Sequence, residues 1–435
     1  MQSTLTTGMV TPAVGGPTDP SHDDDLRRGI LHTDISRPVA WTLVGSFLLA
    51  LALVPLGQAY VEHRDDEESP LGDLFRRAPT AENLRKVEHD VEEASYAKGY
   101  VQPRVQLLLT RVGRVGNKRA TVGRRGFLYY TPGVRHVAGP GFLDRQLHEE
   151  RERAALDAGE EAIQADPIPA VVAFHDALQK RGVRLVLLPV PDKAAVQAAE
   201  LHGRARPTEL PDNPDYGRFV QELERRGVSV FDARRALFAS AGEPSFLQQD
   251  THWTPAAMER IARDLGAYLR TVVELPERPQ SPALHAVPQT VSRVGDIVDM
   301  LKLPEEQRLF LPQTVTVRQV VQDGAGTPWE PDPNGDVLLL GDSFTNIYSL
   351  EGMGWGSSAG LGPHLALALS RPVDVIAQND SGAFATRKAL ARELASGSDR
   401  LQGKRVVVWE LASRELSVGD WRHIDWNAPG ASEGR

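Results

Sequence analysis

The sequence contains no cysteine in its 435 residues. A chain without cysteine forms no disulfide bond, offers no thiolate nucleophile and builds no cysteine-ligated metal site. Because reducing and oxidising compartments both tolerate such a chain, this absence predicts no location. Any covalent catalysis must use another nucleophile, and the hydroxyl group of serine is the most plausible one.

Positive charge is also in short supply, since the formal net charge at pH 7 is -9. No segment concentrates Lys and Arg into a patch that could follow a phosphate backbone, so we expect no nucleic-acid partner. The hydrophobic content of 41% and charged content of 25% are typical of a chain that buries a large core. We find no internal repeat, and we expect one large domain with N-terminal attachments.

One long stretch near the N-terminus has no charge at all, residues 39–60. At ~1.5 Å per residue it is long enough to cross a hydrocarbon core of ~30 Å. Trp41 and Tyr60 lie near its ends, where aromatic rings favour the membrane interface. A cleaved signal peptide is the alternative, because residues 57–59 (GQA) resemble a cleavage site. The long and weakly basic leader favours an uncleaved anchor.

Composition divides the chain into four segments. Residues 1–38 lack apolar periodicity and are predicted to be a disordered tail. Residues 39–60 are the predicted transmembrane anchor. Residues 61–100 are a charged helical linker, within which Thr80 to Tyr96 is predicted to be an exposed helix. Residues 101–435 are predicted to form the catalytic domain.

Helical and apolar strand-like segments alternate through this last part, which predicts an α/β fold. The clearest predicted strands are residues 183–190, 228–231, 337–340, 373–377 and 405–409, and a turn with a short strand is predicted within residues 123–130. The predicted helices are residues 148–165, 168–180, 216–226, 255–269, 364–370 and 387–395. Residues 275–336, rich in Pro and Gln, contain two or three β-like runs, such as residues 313–321, and are predicted to be an irregular elaboration of the sheet.

The most apolar of these strands precedes a candidate nucleophile, Ser343. Residues 337–340 (VLLL) and Gly341 predict a buried strand and a sharp turn, so that Ser343 lies where open α/β sheets place their ligand crevice. Earlier in the chain, Asp250 and His252 supply the other parts of a Ser-His-Asp triad. We expect His252 to act as general base and Asp250 to orient its imidazole ring.

A metal site is the competing interpretation of Asp250 and His252. Such a site requires further ligands at comparable spacing. His175 and His364 show no such arrangement in the sequence. We therefore expect neither a metal ion nor another cofactor.

The two motifs together resemble those of a known family. Residues 341–344 (GDSF) resemble the first block of SGNH hydrolases. With residues 250–254 (DTHWT) placed before them, the pattern is similar to the alginate O-acetyltransferase family of the AlgX and AlgJ type. General SGNH enzymes place the Asp and His after the serine, whereas here both precede it. Residues 123–130, 189–193 and 406–416 also match, so the resemblance runs from about residue 100 to the C-terminus.

The resemblance implies several site residues. Residues 379–382 resemble the second SGNH block, so the backbone N–H of Gly382 is a candidate oxyanion donor beside that of Ser343. Gly382 could equally be an ordinary turn glycine. The third block normally supplies an asparagine, which is missing at residues 409–414. Arg414 is then a candidate substrate-binding residue, or it pairs with Glu410 as part of the structure.

Lys193 is a second candidate for lining the substrate site. It follows the predicted strand at residues 183–190, at the end of the sheet where the site is expected. The alternative is a plain exposed lysine.

The resemblance finally implies an SGNH-hydrolase-like parallel sheet flanked by helices, carrying a polysaccharide O-acetyltransferase. The enzyme would be single-pass in the cell inner membrane, with its catalytic domain in the periplasm and an acetyl-serine intermediate on Ser343. Its implied partners are the polysaccharide, the cytoplasmic membrane and a membrane-embedded acyltransferase that supplies acetyl groups. The short stretch after residues 405–409 leads us to expect no appended carbohydrate-binding module.

Two other functions stay open at this point. The same triad could belong to an esterase or polysaccharide deacetylase, because water and a sugar hydroxyl attack the same acyl-enzyme. A membrane-anchored scaffold that binds glycan without catalysis is the third possibility. The three intact triad positions, Asp250, His252 and Ser343, argue against that scaffold, which would not need them.

Overall fold

A computed structural model describes residues 36–65, 70–76, 78–204, 210–238, 243–277, 282–379 and 382–426. The predicted N-terminal tail therefore lies almost entirely outside the described residues. The chain divides into two compact units, Met1–Gln102 and Pro103–Arg435.

The first unit contains one long apolar helix, α1 (Arg37–Asp65), which includes the predicted anchor. Its large apolar side chains, such as Phe47, Leu49 and Leu51, are exposed instead of packing into a core. Within the described residues, α1 is the helix that is long and apolar enough to cross a membrane. Its length and composition agree with an anchor.

Short helical segments follow in the same unit: a 3₁₀ turn at Pro70–Gly72, α2 (Asp73–Arg76), α3 (Ala81–Glu93) and a π-helical turn at Ala97–Val101. Helix α3 lies within the exposed helix predicted from Thr80 to Tyr96. Thr80 caps its N-terminus, because the Thr80 hydroxyl oxygen accepts a hydrogen bond from the Asn83 backbone N–H at 3.2 Å.

The second unit is built on a five-stranded parallel sheet. The strands of this unit are β1 (Ala120–Val122), β2 (Leu128–Tyr130), β3 (Arg184–Val190), β4 (Ser229–Val230), β5 (Leu284–Arg293), β6 (Gln313–Gln322), β7 (Val337–Gly341), β8 (Val373–Ala377) and β9 (Val406–Ala412). The sheet has the order β4-β3-β9-β7-β8, and all of its pairs are parallel. The predicted α/β fold is confirmed, and the five strands predicted from residue 183 onward lie in this sheet. The short strand predicted within residues 123–130 is β2, which pairs with β1 in a separate sheet.

The second unit also contains helices. They are α4 (Gln102–Gly113), which starts at the boundary between the units, then α5 (Thr131–Ala138), α6 (Arg145–Asp157), α7 (Pro167–Lys180), α8 (Lys193–Val196), α9 (Ala198–Leu201), α10 (Tyr216–Arg225), α11 (Arg234–Phe238), α12 (Pro255–Val272), α13 (Asp296–Leu301), α14 (Ser343–Asn346), α15 (Leu361–Leu369), α16 (Gly382–Ala395) and α17 (Glu415–Val418). A 3₁₀ turn lies at Glu351–Met353.

Alternate residues of the central strands face two separate cores. Leu339 and Val408 point to the core built with α12 and α15, whereas Leu338 and Val407 point to the core built with α7, α10 and α16. Burial on both faces explains why these strands consist mainly of consecutive apolar residues with no polar alternation.

Two segments differ from the prediction. The acidic helix expected at residues 148–165 ends at Asp157, and Gly159 then adopts φ +74°, which turns the chain away from a helix. In the stretch at residues 275–336, the β-like run predicted at residues 313–321 is confirmed as β6, but the segment is regular and does not extend the main sheet. It holds a ten-residue antiparallel pair, β5 and β6, which forms a sheet of its own.

The carboxyl ends of β3, β7 and β9 lie at one edge of the sheet because the strands are parallel neighbours. Asp192 and Lys193 follow β3, Ser343 follows β7, and Arg414 follows β9. The fold therefore brings these separate parts of the chain to the same edge.

The exposed apolar surface of α1 generates a first prediction. Full-length protein should stay in the membrane fraction after alkaline carbonate washing. The double substitution Leu49→Asp and Leu51→Asp should move it to the soluble fraction, since each central charge costs about 3 kcal/mol in a bilayer. Fractionation followed by immunoblotting measures how much of the protein is in the membrane fraction and how much in the soluble fraction. A double substitution of the exposed residues Leu350 and Val418 in the second unit is the control and should change nothing. A mature soluble protein beginning near Tyr60 would contradict the anchor and support a cleaved signal peptide.

Candidate active site

The turn that carries Ser343 is built from Gly341 and Asp342. A Cβ atom at Gly341 would lie 2.1 Å from the Thr345 hydroxyl oxygen, so only glycine fits. Asp342 caps α14, because its carboxylate accepts the Phe344 backbone N–H at 2.8 Å. The other oxygen of this carboxylate accepts the Ala412 N–H at 2.9 Å. The Ser343 turn is thereby fixed to the neighbouring strand β9.

Asp250 and His252 lie together in the loop before α12. The Asp250 Oδ1 atom accepts hydrogen bonds from His252 Nδ1 at 2.6 Å and from the His252 backbone N–H at 3.2 Å. Its Oδ2 atom accepts from the Trp355 indole N–H at 3.1 Å and from the Asp296 backbone N–H at 3.0 Å. Four donors therefore surround one buried carboxylate.

These contacts determine the charge of the pair. Burial alone would raise the pKa of Asp250, but the hydrogen bond and charge of His252 outweigh it and lower the pKa to about 2. Burial would lower the pKa of His252, but the hydrogen bond and charge of Asp250 outweigh it and raise that pKa. Because Nδ1 carries the proton shared with Asp250, Nε2 of the neutral ring is free to accept one.

The free nitrogen of His252 lies close to the Ser343 turn. The His252 ring packs edge-on against the ring of Phe344, with centroids 4.8 Å apart. His252 Nε2 is buried and has no hydrogen-bond partner among the described residues, so it is not bonded to Ser343 in this state. Hydrogen bonds between a catalytic base and its nucleophile often form only with substrate bound. Ser343 itself is half-buried.

Asp296 is a residue at this site that the sequence analysis missed. Its carboxylate accepts the Thr251 backbone N–H at 2.7 Å, and its Oδ2 atom lies 4.0 Å from His252 Nδ1. The preceding residue must be glycine, because a Cβ at Gly295 would lie 2.3 Å from the Gln249 carbonyl oxygen. Burial and the nearby charge of Asp250 raise the pKa of Asp296 to about 6. The sequence did offer one signal for Asp296: Gly295 and Asp296 stand at the start of a short apolar helix in an otherwise polar stretch.

Trp355 was also missed as a site residue, although the Gly-rich loop that holds it stands out in the sequence. Its indole N–H reaches Asp250, 105 residues earlier in the chain. A buried indole N–H needs an acceptor, and Asp250 provides one.

Asp250, His252 and Asp296 are the described residues whose donor atoms approach closely enough to hold a metal ion, within 4.8 Å of one another. However, Nδ1 and Oδ1 of the first pair are only 2.6 Å apart. An ion about 2.0–2.1 Å from each atom would hold them roughly 3 Å apart or more. A shared proton fits this distance better than a metal ion.

Lys193 is not exposed at the crevice as a substrate contact would require. The side chain is 4% exposed, and its ammonium group donates hydrogen bonds to the carbonyl oxygens of Leu128, Gln248 and Asp250 at 2.6, 2.9 and 3.1 Å. All three N–H groups are used inside the protein. Burial lowers the pKa of Lys193 to about 7, although the charges of Asp250 and Asp296 oppose this shift.

Arg414 pairs with Asp192 at 3.3 Å and not with Glu410, which corrects the expected structural pairing. Its guanidinium group lies over the rings of Tyr130 and Phe344, 5.1 and 5.8 Å from their centroids. The side chain is 12% exposed and adjoins the residue that follows Ser343. A substrate-binding role for Arg414 stays a prediction.

Gly382 is the first residue of α16, and residues 380 and 381 before it lie outside the described part of the chain. A helix start offers backbone N–H groups without helical partners. The role of Gly382 as an oxyanion donor stays a prediction.

Glu410 supports the nucleophile turn instead of binding Arg414. It is fully buried on β9, and its Oε2 atom accepts the Asp342 backbone N–H at 2.9 Å and the Thr345 hydroxyl at 2.8 Å. Burial, together with the charge of Asp342, raises the pKa of Glu410 well above its usual range. Both effects favour the protonated, neutral form of Glu410 in the folded protein.

A second prediction follows from this protonated state. Above about pH 4.3, where an unfolded Glu ionises, folded Glu410 retains a proton that the unfolded chain releases, so its contribution to stability falls as pH rises. Glu410→Gln mimics the neutral acid and lacks this loss. The free energy of unfolding of the variant, relative to the unmodified protein, should therefore increase with pH in denaturant titrations. Glu351→Gln, at an exposed position, is the control and should show no such trend. A pH-independent loss of stability in Glu410→Gln would show that Glu410 is ionised.

Comparison with known proteins adds family membership to this geometry. The family model described as SGNH hydrolase-like domain, acetyltransferase AlgX, matches residues 147–413. A probable alginate O-acetylase AlgJ of Pseudomonas syringae pv. tomato is 26% identical over 274 residues, covering 63% of this chain and 68% of that protein. The corresponding protein of Pseudomonas aeruginosa is 27% identical over 290 residues, covering 65% and 72%.

Among solved structures, the O-acetyltransferase domain of Pseudomonas putida AlgJ superposes with a TM-score of 0.51 at 23% identity, covering 69% of this chain and 93% of that one. This likeness supports the fold. The family match spans more than half of the chain and includes Asp250, His252 and Ser343. The chain therefore belongs to the family of SGNH hydrolase-like acetyltransferase domains represented by AlgX.

Proposed function

We propose that this protein is an O-acetyltransferase that places acetyl groups on hydroxyls of an alginate-like polysaccharide, through an acetyl-Ser343 intermediate. Family membership supports the acetyl-transfer chemistry, and the names of the AlgJ relatives support the class of polymer. The single observation that carries the mechanism is the Asp250–His252 pair beside the Ser343 turn. That pair leaves His252 Nε2 buried, unpartnered among the described residues and next to Phe344.

In the first half-reaction, the Ser343 hydroxyl oxygen attacks the carbonyl carbon of the acetyl donor while His252 Nε2 takes the hydroxyl proton. A bond forms between the Ser343 oxygen and the acetyl carbon, and the bond from that carbon to the donor breaks. The leaving group receives the proton from His252. The backbone N–H groups of Ser343 and Gly382 are the proposed donors to the oxyanion.

In the second half-reaction, a sugar hydroxyl attacks the acetyl-Ser343 carbonyl carbon. His252 takes the proton of that hydroxyl and returns it to the Ser343 oxygen as the ester bond breaks, so the enzyme is regenerated. Asp250 holds the imidazole ring in place and stabilises the imidazolium that forms in both halves. Arg414, which lies over Phe344, is the proposed contact for the bound sugar chain.

The length and composition of helix α1 support a single membrane span. The likeness to alginate O-acetylases is the basis for proposing that this membrane is the cell inner membrane and that the catalytic unit lies on the periplasmic side. In that arrangement a membrane-embedded acyltransferase supplies the acetyl groups. These assignments of location and partner form part of the proposal.

The third prediction is that Ser343 carries the acetyl group covalently. Full-length protein in detergent, incubated with p-nitrophenyl acetate and quenched in acid, should give a peptide with one acetyl group on Ser343. The reason is that an unactivated serine hydroxyl reacts slowly unless a base takes its proton. His252→Ala should reduce labelling by on the order of 10⁴. Peptide mass spectrometry locates the label.

The controls separate the mechanism from general reactivity. Ser343→Ala should take up no label, whereas Ser396→Ala, at an exposed helix end, should label normally. Candidate oligosaccharides added to the labelled enzyme should accept the acetyl group faster than water does. Label on another residue, with Ser343→Ala fully active, would contradict the mechanism, and release to water alone would support an esterase.

A fourth prediction concerns pH. The negative charge of Asp296 contributes to raising the pKa of His252, in addition to the larger effect of Asp250. His252 must be neutral to act as base, so kcat/KM falls as pH drops through its pKa. Asp296→Asn removes a charge but keeps an oxygen to accept the Thr251 N–H, so the acid limb of the profile should shift to lower pH. Asp299→Asn, exposed on the same helix, should leave the limb in place. An unchanged limb in Asp296→Asn would show that Asp296 does not act on His252.

A further inference from the structure

Lys193 is a buried lysine whose ammonium group has no carboxylate within ion-pair distance among the described residues. Its three hydrogen bonds go to backbone carbonyl oxygens, at 2.6, 2.9 and 3.1 Å. The ammonium nitrogen also lies 5.4 and 5.2 Å from the ring centroids of Phe127 and Tyr129. Buried lysines are rare because desolvation of the charge is costly, so such a position needs a specific use.

The three acceptors belong to two segments that are remote from Lys193 in sequence. Leu128 is the first residue of β2. Gln248 and Asp250 lie in the loop that carries the His252 base. Lys193 itself follows β3 and begins α8, so its backbone is anchored at the edge of the main sheet. The ammonium group thus joins the sheet edge to the loop that holds Asp250.

We propose that Lys193 is a positioning residue of the active site, whose ammonium group fixes the backbone of the Asp250–His252 loop relative to the sheet. The carbonyl that it binds at Asp250 belongs to the same residue whose carboxylate orients His252. A shift of that backbone would therefore move the imidazole relative to Ser343. This inference rests on the proposed function, but it assigns Lys193 no contact with the substrate or the acetyl donor.

Lys193 has two alternative roles, a direct contact with the substrate and a purely structural one. A direct substrate contact would require a free N–H group, and the three carbonyl oxygens use all three. A purely structural role would affect the free energy of unfolding without a separate effect on the chemical step. Measurements of rate, KM and stability together distinguish these two roles from positioning of the Asp250–His252 loop.

The fifth prediction uses Lys193→Met, which keeps a long apolar stem against Phe127 and Tyr129 but removes the charge and the donors. In folded full-length protein, the rate constant for acetylation of Ser343 by p-nitrophenyl acetate at saturation should fall roughly 10²-fold, the effect of a displacement near 1 Å. The KM for the ester should change less than about two-fold, because ground-state binding is untouched. Stopped-flow release of p-nitrophenol measures both values.

Tyr129→Phe is the matched structural control. It removes the hydrogen bond from the Tyr129 hydroxyl to the Gln197 carbonyl oxygen in the same region but leaves Lys193 intact. It should lower the free energy of unfolding by about 1 kcal/mol and leave the acetylation rate constant unchanged. A rate loss in Lys193→Met no greater than in this control would assign Lys193 a structural role.

A spectroscopic readout does not depend on turnover. The proton that His252 Nδ1 shares with Asp250 should give a far-downfield proton resonance, identified by its loss in His252→Gln. Lys193→Met should broaden or shift this resonance, because the Asp250 backbone is no longer held. If wild-type protein shows the resonance but no Ser343 acetylation, the proposed function fails while the positioning role can still be judged from the resonance.

A second variant covers the case in which Lys193→Met does not fold. Lys193→Ala, prepared in ethylammonium chloride, leaves space for a small ammonium ion to donate to the same carbonyls. Acetylation should rise with ethylammonium concentration but not with tetramethylammonium, which has no N–H group. Absence of rescue in folded Lys193→Ala, normal kcat in Lys193→Met, or an effect on KM alone would each overturn the positioning role.

Discussion

The buried carboxylate of Asp250 is the constraint on which the rest of the site depends. An ionised carboxylate in the protein interior is stable only if donors replace the water it has lost. Here His252, Trp355 and Asp296 provide those donors from three separate parts of the chain. Each of these parts must therefore be held in register with the Asp250 loop. The hairpin insertion of β5 and β6 meets this requirement, because it carries Asp296 at the start of α13.

The turn that carries Ser343 is held in place by two buried carboxyl groups, those of Asp342 and Glu410. Asp342 accepts two backbone N–H groups, one from Phe344 and one from Ala412. Glu410 accepts the backbone N–H of Asp342 itself. Burial, together with repulsion from the charge of Asp342, raises the pKa of Glu410, which favours a neutral acceptor at this turn. Ser343 is thereby presented by a backbone with little freedom to relax.

Much of this architecture could be predicted because its signals are local. Residues 337–340 and 406–409 are uninterrupted apolar runs, which pointed directly to a parallel sheet. Ser343, Asp250 and His252 stood out because they lie in two short motifs, residues 341–344 and 250–254, and the first motif directly follows one of those strands. Their proximity agrees with the structure, in which His252 packs on Phe344, but their roles still await experiment.

The remaining features could not be predicted because they depend on long-range contacts. Asp296 lies 46 residues from the carboxylate to which its N–H donates, and no sequence period connects them. The partners of Lys193 are backbone carbonyls, which leave no trace in side-chain patterns. Arg414 was expected to pair with Glu410, but Glu410 lies inside strand β9 with its side chain buried, whereas Arg414 lies beyond the end of that strand.

The charge balance of the site links these features to the chemistry. The carboxyl groups of Asp192, Asp250, Asp296, Asp342 and Glu410 are accompanied by the cations of Lys193 and Arg414. Protons on Glu410, and on Asp296 at lower pH, relieve part of this excess negative charge. The remaining charge favours a proton on His252 in the transition state, when the imidazole has become cationic. The same negative charge repels hydroxide ions. It therefore favours attack by neutral hydroxyl groups, which transfer their proton to His252 as they react.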